Sequence, residues 1–250
     1  MYNEMNMERT QDRVSVVIAT YNRFVYVRKA IESVRRQTHG NVEIIVVNDR
    51  STQPEYYTHN WTDEGVTMVH LEQNTRALFG HACAGYVRTV GAARATGTYI
   101  AFCDDDDVWL PDKLEKQLAA MKAHGAAMSC TEGYYGTGVY DPVRTYPRYN
   151  SEYYRDQLVH IYKSSAHTAA LDSGFPTIWT RAFMGVHNCV ITSSVVMAAD
   201  LFERIGGMKN VRNGAEDYGC WKAALEHTDC VYVHEPCVYY DSRHGEGTNH

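Results

Sequence analysis

Short runs of β-branched and other apolar residues alternate with amphipathic stretches through the first half of the chain. Four of these runs predict buried strands, at residues 14–19, 42–47, 66–71 and 99–103. The amphipathic stretches predict helices, one over residues 85–95 and one with an apolar face formed by Val27, Ala30, Ile31 and Val34. Because strands and helices alternate, we expect an α/β sheet with parallel strands.

Residues with strong preferences for helix ends give approximate bounds for two helices. Asn22 is predicted to be the N-cap of the first helix, and Gly40 is predicted to end that segment. A later helix is predicted to begin at Pro111, because proline is favoured in the first turn, and to end at Gly125. Both helices follow a predicted strand, as expected for βαβ units.

The second half of the chain has a weaker pattern. Residues 131–180 are rich in tyrosine and weakly periodic, which predicts an irregular or mobile segment and makes it a candidate lid over a site. Regular structure is predicted to resume over residues 186–196, followed by helices at 199–205 and 215–227 and a last strand within 230–240. No internal repeat or long linker divides the chain, so a single domain is expected.

Composition and charge exclude some classes of protein. The 250 residues include 24 lysines and arginines against 30 aspartates and glutamates, which gives a formal net charge of −6. With 44% hydrophobic and 22% charged residues, the chain has the composition of a globular protein and not of a disordered one. Non-specific nucleic-acid binding needs clustered positive charge, so nucleic acid is a disfavoured partner.

No part of the sequence indicates export or a membrane span. Residues 1–12 are polar, unlike a signal peptide, and no apolar run reaches the ~18 residues that a spanning helix needs. The seven cysteines are irregularly spaced and form no C-x-x-C pair, which indicates reduced thiols and not zinc ligands or disulfides. We therefore expect a cytoplasmic protein.

Four consecutive aspartates, residues 104–107, follow the predicted strand at 99–103 directly. In an open α/β sheet, ligands bind at the carboxyl ends of the strands. Carboxylate oxygens at that edge suit Mg²⁺ or Mn²⁺, and such an ion commonly bridges phosphates. A solvated acidic turn that precedes the helix at Pro111 is the alternative, and the spacing alone leaves both interpretations open.

Tyr21 and Asp49 follow the first two predicted strands and are expected at the same sheet edge as the acidic run. An aromatic face and a carboxylate acceptor suit a nucleobase, although packing at the end of a strand is the better explanation of Tyr21 taken alone. Glu216 and Asp217 stand at the predicted start of a helix, where an acid either caps the helix or acts as a general base. His244 has three interpretations: a metal ligand, a phosphate contact or a surface histidine.

Six segments, taken in order, resemble the family 2 glycosyltransferases of the GT-A fold. They are VSVVIATYNR (14–23), VEIIVVNDRS (42–51), YIAFCDDDDVWLPDKLEKQ (99–117), IGGMK (205–209), AEDYGCW (215–221) and YYDSRHGEGTN (239–249). Two positions depart from the family pattern. Asn48 replaces the first acid of the D-D-x-S motif, and Thr89 follows Arg88 where an asparagine is usual.

The resemblance implies a fold and a separate role for each half of the chain. A single GT-A domain is expected over residues 1–250, with one Rossmann-like, mostly parallel sheet flanked by helices. Residues of about 14–122 would form the nucleotide-sugar-binding half, and residues of about 123–250 the acceptor-binding half with the catalytic base.

The resemblance also implies roles for particular residues. Binding of the nucleotide sugar is assigned to Thr20, Tyr21, Asp49, Arg88, Asp104 and Asp105. Binding of a divalent metal, Mn²⁺ or Mg²⁺, is assigned to Asp106, Asp107 and His244. Catalysis is assigned to Asp217 as the base, with Glu216 helping to place the acceptor.

The function that the resemblance implies is inverting transfer of a sugar by single displacement. The donor would be a nucleoside-diphosphate sugar, most commonly UDP-linked, and the acceptor a hydroxyl of a glycan, glycolipid or glycoprotein. A lipid-linked acceptor would require peripheral association with a membrane. The tyrosine-rich segment would form the acceptor side, because aromatic rings pack well against sugar rings.

The alternative functions are those of a nucleotidyltransferase and of a non-catalytic binder of nucleotide sugars or glycans. A nucleotidyltransferase would usually carry a glycine-rich basic loop after the first strand, which residues 19–23 do not supply. Retention of Asp106, Asp217 and His244 together argues against a non-catalytic binder.

Overall fold

A computed structural model describes residues 10–165, 171–212 and 215–242. Within them one sheet contains nine strands, at Thr10–Thr20 (β1), Val42–Asn48 (β2), Val66–His70 (β3), Gly97–Asp104 (β4), Val108–Trp109 (β5), Met128–Gly136 (β6), Ile178–Trp179 (β7), Val196–Ala198 (β8) and Cys230–Asp241 (β9). Their order is β3-β2-β1-β4-β8-β6-β9-β5, and β7 also pairs with β9. The first four positions are parallel, as is the β6–β9 pair, and β8 is antiparallel to both of its neighbours.

Nine α-helices in the described residues connect and flank these strands. They are Phe24–Arg35 (α1), Glu55–Thr58 (α2), Thr75–Phe79 (α3), Ala84–Ala92 (α4), Lys113–His124 (α5), Arg155–Lys163 (α6), Arg181–Val186 (α7), Ala199–Arg204 (α8) and Glu216–Ala224 (α9). A π-helical turn spans Tyr149–Tyr153, and a 3₁₀ turn spans Thr192–Ser194. The predicted α/β class with a mostly parallel sheet is therefore confirmed.

Both faces of the sheet are covered, because successive residues of the central strands enter two different hydrophobic cores. Val17 of β1 and Ile45 of β2 belong to one core, whereas Val16 and Ile44 belong to the other. Strands that are buried on both faces need continuous apolar runs. This requirement explains why the runs in the sequence predicted β1 to β4 correctly.

Asn22 is not the N-cap of α1, contrary to the prediction. Arg23 occupies the N-cap position, without a capping hydrogen bond from its side chain. Asn22 instead adopts a left-handed backbone conformation with φ of 52°, and its Oδ1 accepts a 2.7 Å hydrogen bond from the N–H of Thr52. Its side chain therefore joins the loop after β1 to the loop after β2.

The prediction of an irregular segment over residues 131–180 is also wrong for much of its length. It contains the end of β6, the π-helical turn, α6 and β7. Glu132 is fully buried and accepts backbone hydrogen bonds from Gly133, Asn150 and Ser151, at 2.9 to 3.0 Å. A buried carboxylate thus holds the π-helical turn, and this interaction leaves no periodic pattern in the sequence.

Seven cysteines and one lysine are buried inside the protein. All seven cysteines are buried and unpaired, as the sequence predicts. Lys113 is fully buried, with its Nζ 3.8 Å from the centroid of the Trp109 ring and without a hydrogen-bond partner among the described residues. Burial lowers the pKa of Lys113 to about 7, against the smaller opposing effects of Cys237, Cys103 and Cys130.

Candidate active site

A cavity of about 480 Å³ opens at the carboxyl ends of β1, β2 and β4. It is lined by every residue that the sequence assigned to the nucleotide sugar, namely Thr20, Tyr21, Asp49, Arg88, Asp104 and Asp105. Asp106 and Glu216 also line it, whereas Asp107 and Asp217 do not. Ligands of open α/β sheets bind at this edge, so the cavity is the candidate active site.

Asp49 lies at the wall of the cavity and is held by the first residues of α3. Its Oδ1 accepts a 2.8 Å hydrogen bond from the N–H of Thr75, and its Oδ2 accepts from the Thr75 hydroxyl at 2.6 Å. Asn74 donates to the same Oδ2 at 3.1 Å. The carboxylate is therefore fixed in orientation. Thr75 lies outside the apolar runs, so the hydrophobic pattern does not mark it.

The turn after β1 is held by a buried tyrosine. The hydroxyls of Thr20 and Tyr56 lie 2.6 Å apart, and the N–H of Arg23 donates to the Tyr56 hydroxyl at 3.1 Å. Burial raises the pKa of Tyr56 to about 12. This arrangement keeps the backbone of the turn in place, and Tyr21, which is half-buried, is presented at the cavity wall.

Arg88 of α4 reaches the first aspartate of the acidic run. Its guanidinium donates to Oδ1 of Asp104 at 2.5 Å, and the arginine is only 8% exposed. Burial by itself lowers the pKa of Arg88, but attraction to Asp104, the hydrogen bond to Asp104 and attraction to Asp217 and Glu216 together outweigh burial, and the pKa is raised. Arg88 is therefore a permanent cation at the cavity wall.

A second arginine, Arg23, lies between the next two aspartates. One of its guanidinium nitrogens is 3.0 Å from Oδ1 of Asp105 and 3.0 Å from Oδ2 of Asp106. Burial raises the pKa of Asp106 to about 8, and repulsion from Asp105 and Asp104 adds to this effect against the attraction of Arg23. The single guanidinium of Arg23 thus neutralises the negative charge of these aspartates only in part. The motif TYNR contains Arg23, but nothing in the sequence places it beside residues more than 80 positions away.

Asp107 has a different environment from the other three aspartates. Its Oδ2 accepts a 2.5 Å hydrogen bond from the Ser193 hydroxyl, and its Oδ1 accepts a 3.0 Å hydrogen bond from the N–H of Asp241. Burial, followed by repulsion from Asp106, raises the pKa of Asp107 well above its ordinary value. Asp107 therefore lies away from the cavity. It connects the four aspartates of residues 104–107, the acidic loop, to the end of β9.

The two positions that depart from the family pattern also lie outside the cavity. Asn48 is fully buried, and its Oδ1 accepts a 2.8 Å hydrogen bond from the N–H of Ser51. The Thr89 hydroxyl accepts a 3.1 Å hydrogen bond from the N–H of Met208. Both side chains therefore hold backbone turns.

Glu216 and Asp217 begin α9 but have different partners. Glu216 is 8% exposed, lines the cavity and accepts a 3.3 Å hydrogen bond from the N–H of Gly85. Oδ2 of Asp217 accepts from the Thr192 hydroxyl at 3.0 Å, and its Oδ1 accepts from the N–H of Tyr218 at 2.5 Å. Asp217 therefore lies beside the cavity, with both oxygens already oriented by the protein.

The residues at the acidic loop fit a divalent cation. Asp104 and Asp106 offer carboxylate oxygens at the cavity, and the repulsion from neighbouring aspartates, which adds to burial in raising the pKa of Asp106, comes from negative charge that a cation would relieve. Among the described residues, no group of three or more histidine, cysteine, aspartate or glutamate side chains is arranged to hold a metal ion. His244, the third predicted ligand, lies outside the described residues.

Solved structures define the class of fold. The Staphylococcus aureus TarS fragment 1–349 in complex with UDP-GlcNAc matches with a TM-score of 0.63 at 17% identity, over 94% of this chain and 60% of that one. The mannosyltransferase PcManGT from Pyrobaculum calidifontis, in complex with GDP-Man and Mn²⁺, matches with a TM-score of 0.61 at 17% identity, over 91% of this chain and 56% of that one. The chain therefore has the GT-A fold.

The family follows from the sequence match. The family model "Glycosyl transferase family 2" matches residues 15–175, which is more than half of the chain. The chain therefore belongs to glycosyl transferase family 2, and the predicted resemblance is confirmed.

Two curated relatives show how far the similarity extends. A Bacillus subtilis (strain 168) protein named as a teichuronic acid biosynthesis glycosyltransferase, TuaG, is 38% identical over 121 residues, which cover 47% of this chain and 45% of TuaG. An Escherichia coli (strain K12) protein named as a colanic acid biosynthesis glycosyl transferase, WcaA, is 38% identical over 109 residues, 42% of this chain and 37% of WcaA. The match therefore spans less than half the length of these relatives.

Proposed function

We propose that the protein is an inverting glycosyltransferase that moves a sugar from a nucleoside-diphosphate sugar to a hydroxyl of a glycan or glycoconjugate. One observation carries the proposal: a single cavity collects Tyr21, Asp49, Arg88 and the acidic loop at the carboxyl ends of parallel strands. Membership of glycosyl transferase family 2 supports the reaction class. The UDP-GlcNAc complex of TarS supports a UDP-linked donor, and the GDP-Man complex of PcManGT makes GDP the alternative.

Donor binding is divided between an aromatic end and a charged end of the cavity. The ring of Tyr21 stacks on the nucleobase, and the carboxylate of Asp49, held by Thr75, accepts a hydrogen bond from a base N–H. Arg88 lies at the charged end beside Asp104, where a cation stabilises the diphosphate. We place this donor-binding half at residues of about 14–122.

The acidic loop is the proposed metal site. Asp106, with Asp104, would hold Mn²⁺ or Mg²⁺, and the bound ion supplies positive charge beside the leaving diphosphate. Arg23 keeps the loop assembled by bridging Asp105 and Asp106. His244 remains a proposed third ligand from the sequence alone.

Asp217 is the proposed base of a single displacement. Its carboxylate takes the proton from the acceptor hydroxyl as that oxygen attacks the anomeric carbon of the donor sugar and the bond to the diphosphate breaks. The attack comes from the face opposite the leaving group, so the configuration at the anomeric carbon inverts. Glu216, which lines the cavity next to Asp217, would help to place the acceptor.

The acceptor is proposed to bind on a tyrosine-rich surface. Tyr240 lines the donor cavity, and its ring centroid lies 5.4 Å from that of Tyr149. Tyr149 also lines a neighbouring cavity of about 190 Å³, together with Tyr154, Gln157 and Asn188. Aromatic faces with amide side chains suit a sugar ring and its hydroxyls, so an acceptor glycan fits between the two cavities. We place this acceptor half at residues of about 123–250.

The compartment is proposed from the thiols. Seven buried, unpaired cysteines fit a reducing cytoplasm, where thiols stay reduced. In the described part of the chain, no helix has the length and apolar character needed to cross a bilayer. A lipid-linked acceptor would be reached by peripheral association with the membrane.

A thermal-shift panel tests the proposed donor and metal. UDP, GDP, thymidine diphosphate and their common sugars are added with and without Mn²⁺. We expect one nucleotide to raise the melting temperature, and to do so more strongly with Mn²⁺, because a ligand that binds only the native state stabilises it.

Nucleoside triphosphates added to the same panel, together with hydrolysis assays of the identified donor, separate the alternatives. Stabilisation by a nucleoside triphosphate in preference to every diphosphate sugar would favour a nucleotidyltransferase. Hydrolysis of the identified donor at the same rate in the wild type and in Asp217→Asn would contradict the proposed base. Donor binding without any transfer or hydrolysis would identify a non-catalytic binder.

A further inference from the structure

The 3₁₀ turn Thr192–Ser194 contacts the proposed base, Asp217, and is almost completely buried. Thr192 is 9% exposed, and its hydroxyl donates the 3.0 Å hydrogen bond to Oδ2 of Asp217. The N–H of Tyr218 donates to the other oxygen, Oδ1. Each carboxylate oxygen keeps a further lone pair, so Asp217 can accept an acceptor hydroxyl without losing either contact.

The next residue of the same turn holds the acidic loop. The Ser193 hydroxyl accepts a hydrogen bond from the N–H of Asp104 at 2.8 Å and donates to Oδ2 of Asp107 at 2.5 Å. The indole N–H of Trp109 donates to the carbonyl oxygen of Ser193 at 2.8 Å. Ser193 therefore contacts the acidic loop at Asp104 and Asp107 and β5 at Trp109, and its hydroxyl uses its one proton and one of its acceptor positions.

Thr192 and Ser193 are joined by one planar peptide unit, which does not stretch or rotate about its C–N bond. Adjacent residues of one buried turn therefore connect the base to the loop that carries Asp104 and Asp106. We propose that Thr192 is a positioning residue that holds the carboxylate of Asp217 aimed at the acceptor hydroxyl, while the contacts of Ser193 hold the acidic loop on the donor side. This inference rests on the proposed function, because it takes Asp217 to be the base.

A hydroxyl that donates to a carboxylate favours the charged form of that carboxylate. Among the described residues, the charged and titratable groups near Asp217 include Arg88 on α4 and Glu216, Tyr218 and Cys220 on α9. A change at Thr192 leaves all of these groups in place. An altered pH dependence can therefore be attributed to the lost hydroxyl.

Thr192→Val removes the hydroxyl and keeps the shape of the side chain, whereas Thr192→Ser keeps the hydroxyl. Both are assayed for hydrolysis of the donor identified by thermal shift, because water then serves as the acceptor. For Thr192→Val we expect kcat to fall about 10- to 100-fold, as for the loss of one hydrogen bond to a charged group. The KM for donor should stay within about twofold, and the acidic limb of the kcat profile should move to higher pH.

Thr192→Ser is expected to retain kcat within about threefold and to keep the wild-type acidic limb, because the hydroxyl is still present. Calorimetric donor binding by Thr192→Val establishes that the variant is folded. Wild-type kcat and pH profile in Thr192→Val would overturn the inference. An equal loss in both variants with an unmoved acidic limb would also overturn it, since packing would then be the cause.

Asp217→Asn separates failure of this inference from failure of the proposed function. If Asp217→Asn hydrolyses donor at the wild-type rate, Asp217 is not the base and both proposals fail together. If Asp217→Asn is inactive while Thr192→Val behaves like the wild type, the base stands and only the positioning role of Thr192 fails.

Discussion

The four aspartates of residues 104–107 are neighbours in the sequence, yet they have three different sets of partners in the structure. Asp104 pairs with Arg88, Asp105 and Asp106 share Arg23, and Asp107 accepts from Ser193 and the N–H of Asp241. The run of acids alone leaves a metal site and a solvated acidic turn equally open. At the scale of single residues, Asp104, Asp105 and Asp106 line the cavity and Asp107 does not, which supports seeking the proposed metal ligands among the first three.

The first prediction contrasts two adjacent members of this run. Asp106→Asn should lose Mn²⁺-dependent donor binding and keep the fold, because an amide does not supply the negative charge that a hard cation needs. Asp107→Asn should bind Mn²⁺ and donor with the wild-type affinity within about twofold, because its side chain faces away from the cavity.

Isothermal titration calorimetry with Mn²⁺ and the nucleoside diphosphate measures both variants, and circular dichroism checks their folds. Unchanged affinity in Asp106→Asn would remove it from the proposed ligands. A loss confined to Asp107→Asn would restore the alternative register that the sequence left open.

At the scale of elements, α4 and α9 bring the two halves of the site together, and a glycine permits their close approach. A Cβ at Gly85 would lie 2.4 Å from Cγ and 2.8 Å from Cβ of Glu216, and 3.1 Å from Cβ of Met208. The first two separations are well inside van der Waals contact. Because Glu216 lines the cavity, the packing of these helices also places a residue of the site.

The second prediction compares two helical glycines. Gly85→Ala should destabilise the protein by about 1–3 kcal/mol through overpacking, more than the ~1 kcal/mol that alanine gains in a helix. It should also weaken donor binding, since Glu216 must move. Gly219→Ala, on the exposed side of α9 with no atom within 4 Å of its added Cβ, should be neutral or stabilising by up to ~1 kcal/mol.

Urea denaturation monitored by tryptophan fluorescence measures both variants. Equal effects of the two substitutions would show that backbone entropy, and not the contact with Glu216, determines the outcome.

The elements that the sequence predicts well are those with a local signal. The strands β1 to β4 have apolar runs because their apolar residues enter the two cores, and α1 and α5 have apolar faces because each helix buries one face. The helices α2, α3, α6 and α7 are four to nine residues long, which is too short for a reliable period. The π-helical turn depends on Glu132, which acts across 18 positions.

At the scale of the whole molecule, the positions of site residues are predictable where they follow a strand. Tyr21, Asp49 and Asp104 each stand after a predicted strand, and the parallel order of the sheet places them together. Arg23 and Thr192 contact the site across separations of 82 and 25 positions, respectively. Such contacts depend on the packed fold, so the sequence pattern does not reveal them.

The third prediction concerns the pH dependence of stability, through buried Lys113. Its pKa is lowered to about 7 in the folded protein, below the ordinary value of 10.5. Between these values the unfolded chain binds a proton that the native state does not, so stability rises with pH in this window. The contribution is at most about 1.4 kcal/mol per pH unit. Below pH 7 the full cost of burying the charge remains.

Lys113→Met should therefore stabilise the protein more at pH 6 than at pH 8.5, because it removes the buried amine and its pH dependence. Lys122→Met, an exposed position on the same helix, serves as the matched control and should change stability little at either pH. Chemical denaturation at the two pH values gives the comparison. A gain that does not vary with pH would mean that Lys113 stays charged in the folded protein.

The burial of all seven thiols has a consequence for following the protein's motions. A thiol reagent reacts with an accessible thiolate, so in the native state it must wait for the structure around each cysteine to open. Cys103 lies in one core and Cys130 in the other, on opposite faces of the sheet, while Cys83 lines the donor cavity. The labelling rates of these native cysteines therefore report the opening of three separate regions. Mass spectrometry of labelled peptides can measure each rate without any introduced probe.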